Sequence, residues 1–337
     1  MTLYLEIRKR LSENKRGNLS KFLISSGLKP TVNKKIVSSF NKGIVVFSAD
    51  FEMAWAYRYS KTLSSKAFER GMKERENIPL ILHLFDQYDI PATWATVGHL
   101  FLKECKRDNQ GVAHSEMPRP DHFENSNWIF KSGDWYEHDP CTNIDSDPAW
   151  YASDLIEKIL TANVIHEIGC HTYSHIDFTN NNCPKDLADA ELEACINLAK
   201  KQGFKLTSMV FPGGTFGNFE SLKEKGFICY RKPMKYHIDL PIRDKFGLVV
   251  IPSSLGLDKD PYGWTKEFHL KMIHKFIKTA VDYKGVCHFW FHPSINKWYL
   301  DNVMPEVVRM VVKYRDGGML RVLTMSDLAK EFTSKGK

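Results

Sequence analysis

Short apolar runs alternate with longer amphipathic stretches from residue 44 almost to the C-terminus, and the spacing of the two names the elements. Runs of strand length occupy 44–50, 92–97, 164–171, 207–212, 226–231, 247–252, 286–292 and 320–324. Between them, 186–202, 265–283 and 303–315 carry apolar positions at helical spacing, as does Asp154-Leu155-Ile156-Glu157-Lys158-Ile159-Leu160. Buried strands separated by amphipathic helices predict an α/β barrel. With 337 residues, 43% of them hydrophobic, the chain is long enough for one barrel with a sizeable core and too short for two large domains. Internal repeats and low-complexity tracts are absent.

Residues suited to chemistry collect at the predicted strand ends, where α/β folds place their ligands. The run Ile44-Val45-Val46-Phe47-Ser48-Ala49 ends in Asp50-Phe51-Glu52, and strand alternation turns Asp50 and Glu52 to the same side. Such a pair can divide the work, one carboxylate binding a divalent metal and the other taking a proton from water; the bland reading is a solvated strand end. The next cluster, His171-Thr172-Tyr173-Ser174-His175, sets two imidazoles four residues apart, able to grip one ion. A zincin helix is excluded, since from His166-Glu167 the required second histidine position holds Cys170, and Gly169 argues against helix. In Val286-Cys287-His288-Phe289-Trp290-Phe291-His292-Pro293, alternation puts His288, Trp290 and His292 on one face, and Pro293 ends the strand. His292 thus stands at the rim, where a general acid would stand, and His288 reads as a packed residue. Two imidazoles and one carboxylate leave positions open on a metal, as in catalytic rather than structural sites. Imidazole ligands favour zinc, or cobalt or nickel, over magnesium and calcium. No serine or cysteine has an obvious activating partner, so no nucleophile is implied.

These residues together resemble the polysaccharide deacetylase (NodB-homology, carbohydrate esterase) family, metal-dependent amidohydrolases of N-acetylated sugars. The resemblance runs from about Gly43 to Phe332. In order come Val46-Phe47-Ser48-Ala49-Asp50-Phe51-Glu52, Ile90-Pro91-Ala92-Thr93-Trp94, His171 to His175, Val210-Phe211-Pro212-Gly213-Gly214, Gly226-Phe227-Ile228-Cys229-Tyr230-Arg231, Phe289-Trp290-Phe291-His292-Pro293 and Leu323-Thr324-Met325. It implies a distorted (β/α) barrel of about seven strands, so that one of the eight runs would lie outside it. It also implies Asp50 as base, Glu52, His171 and His175 as ligands of a divalent metal, zinc by expectation, and His292 as acid. The usual first motif has two adjacent Asp residues; here the acids are spaced by one, resembling a branch with Asp-x-Glu, and the roles of Asp50 and Glu52 could be exchanged. A second departure is the third motif, Phe211-Pro212-Gly213-Gly214-Thr215-Phe216, which lacks the Arg that steadies the base in the family; Arg231 is the candidate substitute. Backbone N–H groups of this turn, around Gly214 and Thr215, are candidate oxyanion donors, with a plain turn as the other reading.

Two regions break the rhythm. Residues 103–150 lack periodicity and carry Trp128, Phe130, Trp135, Tyr136 and Trp150 among Pro, Asn and Asp, long for a structureless connection. They read either as a lid whose aromatic faces, Trp135 first, meet a sugar ring, or as a subdomain whose aromatics form its own core. Asp134 and Asp139 there could each hydrogen-bond a sugar. Residues 1–43 form a basic arm with ten Lys or Arg against two acids, +8 in a chain of net +7, leaving −1 for the barrel domain 44–333 and the tail. Such an arm can make weak contact with an anionic membrane surface or approach a phosphorylated substrate, although its thin apolar stripe of Leu3, Ile7 and Leu11 suits a solvated arm or a helix packed on the barrel better. No motif supports nucleic-acid binding.

The first thirty residues lack a signal-peptide core, no run is long enough to span a bilayer, and seven scattered Cys suit reduced thiols, so the expected compartment is the cytoplasm. The expected substrate is accordingly an N-acetylated sugar or an intermediate of glycan biosynthesis. The competing readings are a metal-independent C–N hydrolase of a small amide, on the same fold, and a non-catalytic glycan-binding barrel. Retention of Asp50, Glu52, His171, His175 and His292 together speaks against the last.

Overall fold

The computed structural model describes residues 31–32, 40–234, 237–257 and 265–335. Most of the basic arm lies outside them. All eight apolar runs form strands, and the three long amphipathic stretches form helices at Lys185–Lys201, Lys266–Tyr283 and Met304–Asp316.

The chain opens its sheet with β1 (Gly43–Phe51), then runs through α1 (Ala67–Tyr88), β2 (Thr93–Thr96), α2 (Ser153–Leu160), β3 (Glu167–Cys170), α3 (Lys185–Lys201), β4 (Ser208–Met209) and β5 (Cys229–Pro233). There follow β6 (Val249–Ser253), β7 (Leu255–Gly256), α4 (Lys266–Tyr283), β8 (Val286–Phe291), α5 (Met304–Asp316), β9 (Leu320–Val322) and α6 (Met325–Lys335). Neighbours pair in parallel in the order β6-β5-β4-β3-β2-β1-β8-β7. Because β6 continues through Ser254 into β7, the same stretch of chain pairs with β5 at one end and with β8 at the other, which curls the sheet into a distorted seven-membered barrel. The eighth run, β9, pairs with the first residues of β1 below β2 and is the one outside that ring.

β1 is buried along its whole length, and its two faces meet different surroundings. Val45, Phe47, Ala49 and Phe51 face the helices, whereas Ile44 and Val46 enter the interior with Val210, Cys229, Val249, Ile251 and Val286. Met325, Leu328 and Ala329 of α6 close the interior from below. Ser48 and Asp50 continue the inward face, so the interior changes from apolar to polar as β1 rises to the mouth. Outside, α4 lays Met272, Ile273, Phe276, Ile277 and Ala280 on the barrel, its N-terminus capped by Thr265 Oγ1 accepting from Phe268 N–H. Each of the four larger side chains contributes about 1.5–3 kcal/mol by its burial. Among the described residues no helix is long and apolar enough to cross a membrane.

The 103–150 insertion packs over the mouth with one short hairpin, Phe123–Glu124 against Ile129–Phe130. Trp135 is the centre of its core rather than a face for ligand: it is 1% exposed, stacks on Tyr59 at 4.9 Å, donates from Nε1 to Ser174 Oγ, and carries Arg58 over its ring. An indole with one polar edge is satisfied best where its rings are enclosed and its N–H has a partner, which is what this pocket of aromatics offers.

Candidate functional site

β1 delivers Asp50 and Glu52 to the mouth on one side, as the strand period requires. Glu52 is the carboxylate between the two imidazoles: its Oε1 lies 2.8 Å from His171 Nε2 and 3.2 Å from His175 Nε2. His292 Nε2 approaches the other oxygen at 3.7 Å. Burial alone would raise the Glu52 carboxyl, but the imidazoles of His292, His175 and His171 outweigh it and hold the group well below the usual carboxylate range.

The turn that presents Glu52 is strained, since Met53 has φ +52°, and Glu74 on α1 holds it. Glu74 Oε2 accepts the N–H groups of both Glu52 and Met53, at 3.1 and 3.0 Å. Burial, then the charge of Glu52, pushes the Glu74 carboxyl up to about 8. One helical turn on, Asn77 donates to the carbonyls of Pro293 and Ile295 and so fixes the chain after His292. One polar stripe of α1 therefore positions two parts of the site.

The His171–His175 segment leaves β3 through backbone conformations rare outside glycine, with φ +59° at Thr172 and +55° at His175. Glu191 of α3 enforces them by accepting the N–H groups of Tyr173 and Ser174 and the Ser174 hydroxyl. Gly98 N–H and His99 N–H hold the Thr172 and Tyr173 carbonyls, and Arg58 binds the Ser174 carbonyl. Gly169 lets β3 approach its neighbour: a Cβ there would meet Ser208 Oγ at 2.7 Å.

Arg231 reaches Asp50. From β5 its Nη1 and Nη2 donate to Asp50 Oδ1 and Oδ2, both at 2.6 Å, and Nη1 also donates to Ser48 Oγ at 3.0 Å. Burial and the nearby guanidinium depress His288 well below the usual histidine range, and its Nε2 shares a hydrogen bond with the Ser48 hydroxyl at 2.8 Å. His288 is thus a packed residue under Asp50.

The turn residues behave differently from the oxyanion expectation. Gly214 N–H donates to the Phe211 carbonyl and Thr215 N–H to the Pro212 carbonyl, so both amides are consumed inside the turn. Thr215 Oγ1 accepts from Phe178 N–H and binds the segment after the histidines. Of the two insertion acids, Asp139 is 1% exposed and so turned away from any sugar, while Asp134 is paired with Arg119 and does not line the cavity over Glu52.

A cavity of about 790 Å³ opens over Glu52, His175 and His292. The insertion does reach it, through Ser126, Asn127 and Trp128 rather than Trp135; Trp128 packs edge-on against His175 at 5.5 Å between centroids. Lys61, Arg70 and Lys73 form a basic side of the rim. The supports Glu74, Asn77, Glu191 and Arg58 escaped the sequence reading. Their only signal is a polar or charged side chain set among apolar neighbours in or beside a helix, as Glu74 and Asn77 are beside Ile78 and Ile81.

The donor set fits a divalent metal. His171 Nδ1 lies 2.7 Å from the Val210 carbonyl and donates its hydrogen there, which in the neutral ring leaves Nε2 as a bare acceptor facing a carboxylate oxygen. Two acceptors at that distance repel unless a proton or a cation stands between them.

Residues 60–223 match the family model described as Polysaccharide deacetylase. Among solved structures, one assigned as a polysaccharide deacetylase from Mycobacterium smegmatis aligns at 16% identity with TM-score 0.61, over 89% of this chain and 94% of that one. Another so assigned, from Pseudomonas aeruginosa PAO1, aligns at 16% identity and TM-score 0.52 over 86% and 89%. The Puue allantoinase aligns at 16% identity and TM-score 0.52 over 87% and 89%. No match was found among curated proteins. By the family match over residues 60–223 and the shared α/β-barrel fold, the chain is similar to the polysaccharide deacetylases, hydrolases of the deacetylase class. Asp50, Glu52 and His292 lie outside the matched residues.

Proposed function

We propose that this chain is a metal-dependent amidohydrolase that removes the acetyl group of an N-acetylated sugar or glycan-biosynthesis intermediate. One observation carries the reading: His171 Nε2 and His175 Nε2 converge on Glu52 Oε1 while the Val210 carbonyl holds the far side of His171. Glu52, His171 and His175 would hold the ion, zinc by the softness of its ligands. Bound there, it would polarise the amide carbonyl and lower the pKa of a water molecule.

The remaining work falls to the chain's own residues. Asp50, oriented by the Arg231 fork, accepts the proton of the attacking water through lone pairs the guanidinium does not use. His292, partly exposed at the rim, gives a proton to the departing amine nitrogen. Trp128 and Asn127 wall the cavity for the sugar, and Lys61, Arg70 and Lys73 suit an anionic substituent such as a phosphate.

The test is acetate release from neutral and phosphorylated N-acetyl sugars, with metal content measured alongside. Removing metal by chelation should abolish turnover and zinc should restore it. The His171→Ala, His175→Ala double variant should lose the ion from this site. Asp50→Asn should retain the ion and lose turnover, whereas Glu52→Gln should lose the ion. Turnover that survives chelation would favour the metal-independent hydrolase instead.

A further inference from the structure

We propose that His99, Cys105, His114 and Asp139 form a second metal site, structural rather than catalytic, which takes zinc and staples the insertion to the barrel. His99 belongs to the barrel, in the 3-10 turn Gly98–Phe101 just after β2, whereas the other three are spread through the insertion. One ligand atom from each lies within 4.8 Å of all the others. Three of them converge on a single oxygen: Asp139 Oδ2 is 2.6 Å from His114 Nε2, 3.0 Å from His99 Nε2 and 3.4 Å from Cys105 Sγ.

Hydrogen bonding alone leaves this cluster incomplete. Asp139 Oδ1 is already occupied by Cys141 N–H and the Tyr151 hydroxyl. His99 is 0% exposed, and its Nε2 faces Asp139 Oδ2 out of line for a hydrogen bond, a buried polar atom aimed into the cluster without satisfaction. Two imidazole Nε2 atoms closing on one carboxylate oxygen is also the figure made by His171, His175 and Glu52. Here a cysteine is added. Two imidazoles, one thiolate and one carboxylate fill a tetrahedral shell, leaving no position for substrate. Outer partners are in place as well: Tyr173 Oη lies 3.2 Å from His114 Nδ1, and Tyr151 Oη 3.2 Å from Cys105 Sγ. His99 packs against Trp55 at 4.3 Å, so an ion here would brace the chain just beyond Glu52 as well as the insertion that supplies Trp128.

Cobalt titration distinguishes this site from the first, because only this one has a sulfur ligand. In full-length His171→Ala, His175→Ala protein kept reduced, Co²⁺ should bind as a single equivalent with a thiolate-to-cobalt charge-transfer band in the near ultraviolet. Zinc should displace it. Adding Cys105→Ala should remove the band and weaken binding more than about tenfold, with folding checked by circular dichroism. Absence of stoichiometric binding, a spectrum without the band, or a band that survives Cys105→Ala would overturn the assignment. Anomalous diffraction from zinc-soaked wild-type crystals gives the same decision without any variant: a peak between His99 and Asp139 is expected, and none there would refute the site.

Discussion

Arg231→Met is the substitution that tests most directly how the candidate base is held. Asp50 and Arg231 form a fork with two hydrogen bonds of 2.6 Å, and their side chains are 5% and 8% exposed. Methionine preserves much of the aliphatic stem but removes the charge and the guanidinium that lies over the Trp290 ring at 5.1 Å, so what remains is a buried carboxylate without its partner. Breaking a buried pair in this way costs about 3–5 kcal/mol, most of it the penalty on the group left behind. Ser48 also loses a donor, although its bond to His288 persists. We therefore expect urea unfolding to show a loss of about 3–4 kcal/mol. Arg231→Lys should fall between, because it keeps the charge without the fork. In a cycle with Asp50→Asn, the two changes should be non-additive by about 2–3 kcal/mol, since the asparagine removes the charge that Arg231 was compensating. The same variant should lose turnover while its metal content stays unchanged. A loss within about 1 kcal/mol, or additivity in the cycle, would mean that Asp50 is held by other groups and that Arg231 does not stand in for the absent third-motif arginine.

Other consequences can be checked separately. Glu74→Leu strands the Glu52 and Met53 amides; it should cost about 2–4 kcal/mol of stability and weaken metal affinity more than about tenfold, and unchanged affinity would remove its supporting role. Trp135→Ala should destabilise by about 3–5 kcal/mol without a separate effect on sugar binding. Trp128→Ala, whose ring is also buried but lines the cavity, should destabilise too and in addition weaken sugar binding by about 1–2 kcal/mol; calorimetry showing the reverse pattern of binding would restore Trp135 as the sugar platform. Burial pushes the His166 imidazole down to about 4, and its Nδ1 accepts from Ala92 N–H, so the folded protein keeps it neutral. Its stabilisation is complete above the ordinary histidine pKa and is lost as pH falls from about 6.5 towards 4, by roughly 2–3 kcal/mol. Denaturation of chelator-treated protein against pH should show that slope, reduced in His166→Asn; an identical slope in both would refute it.

Much of the molecule is determined by periodicity that local sequence already carries. The apolar runs became strands and the amphipathic stretches helices because burial on both faces of a barrel strand demands continuous apolar residues, and burial of one helix face demands a 3.6-residue repeat. The common direction of Asp50 and Glu52, and of His288 and His292, follows from the two-residue period of a strand in the same way. What strand period could not distinguish was which of several chemically suitable side chains lay where three elements meet. Trp135 and Trp128 have the same indole, but one is enclosed by Tyr59, Phe130 and Arg58 and the other faces the cavity, an outcome of how the insertion folds. Gly214 and Thr215 have N–H groups in any conformation, yet the turn's own carbonyls take them. Arg231 lies 181 residues from Asp50 and comes to it only because β5 and β1 both face the barrel interior. Glu74, Glu191 and His99 act likewise across the fold. Their partners are backbone amides and side chains brought near by packing, and no spacing along the chain records a contact made between elements that meet only when the sheet closes.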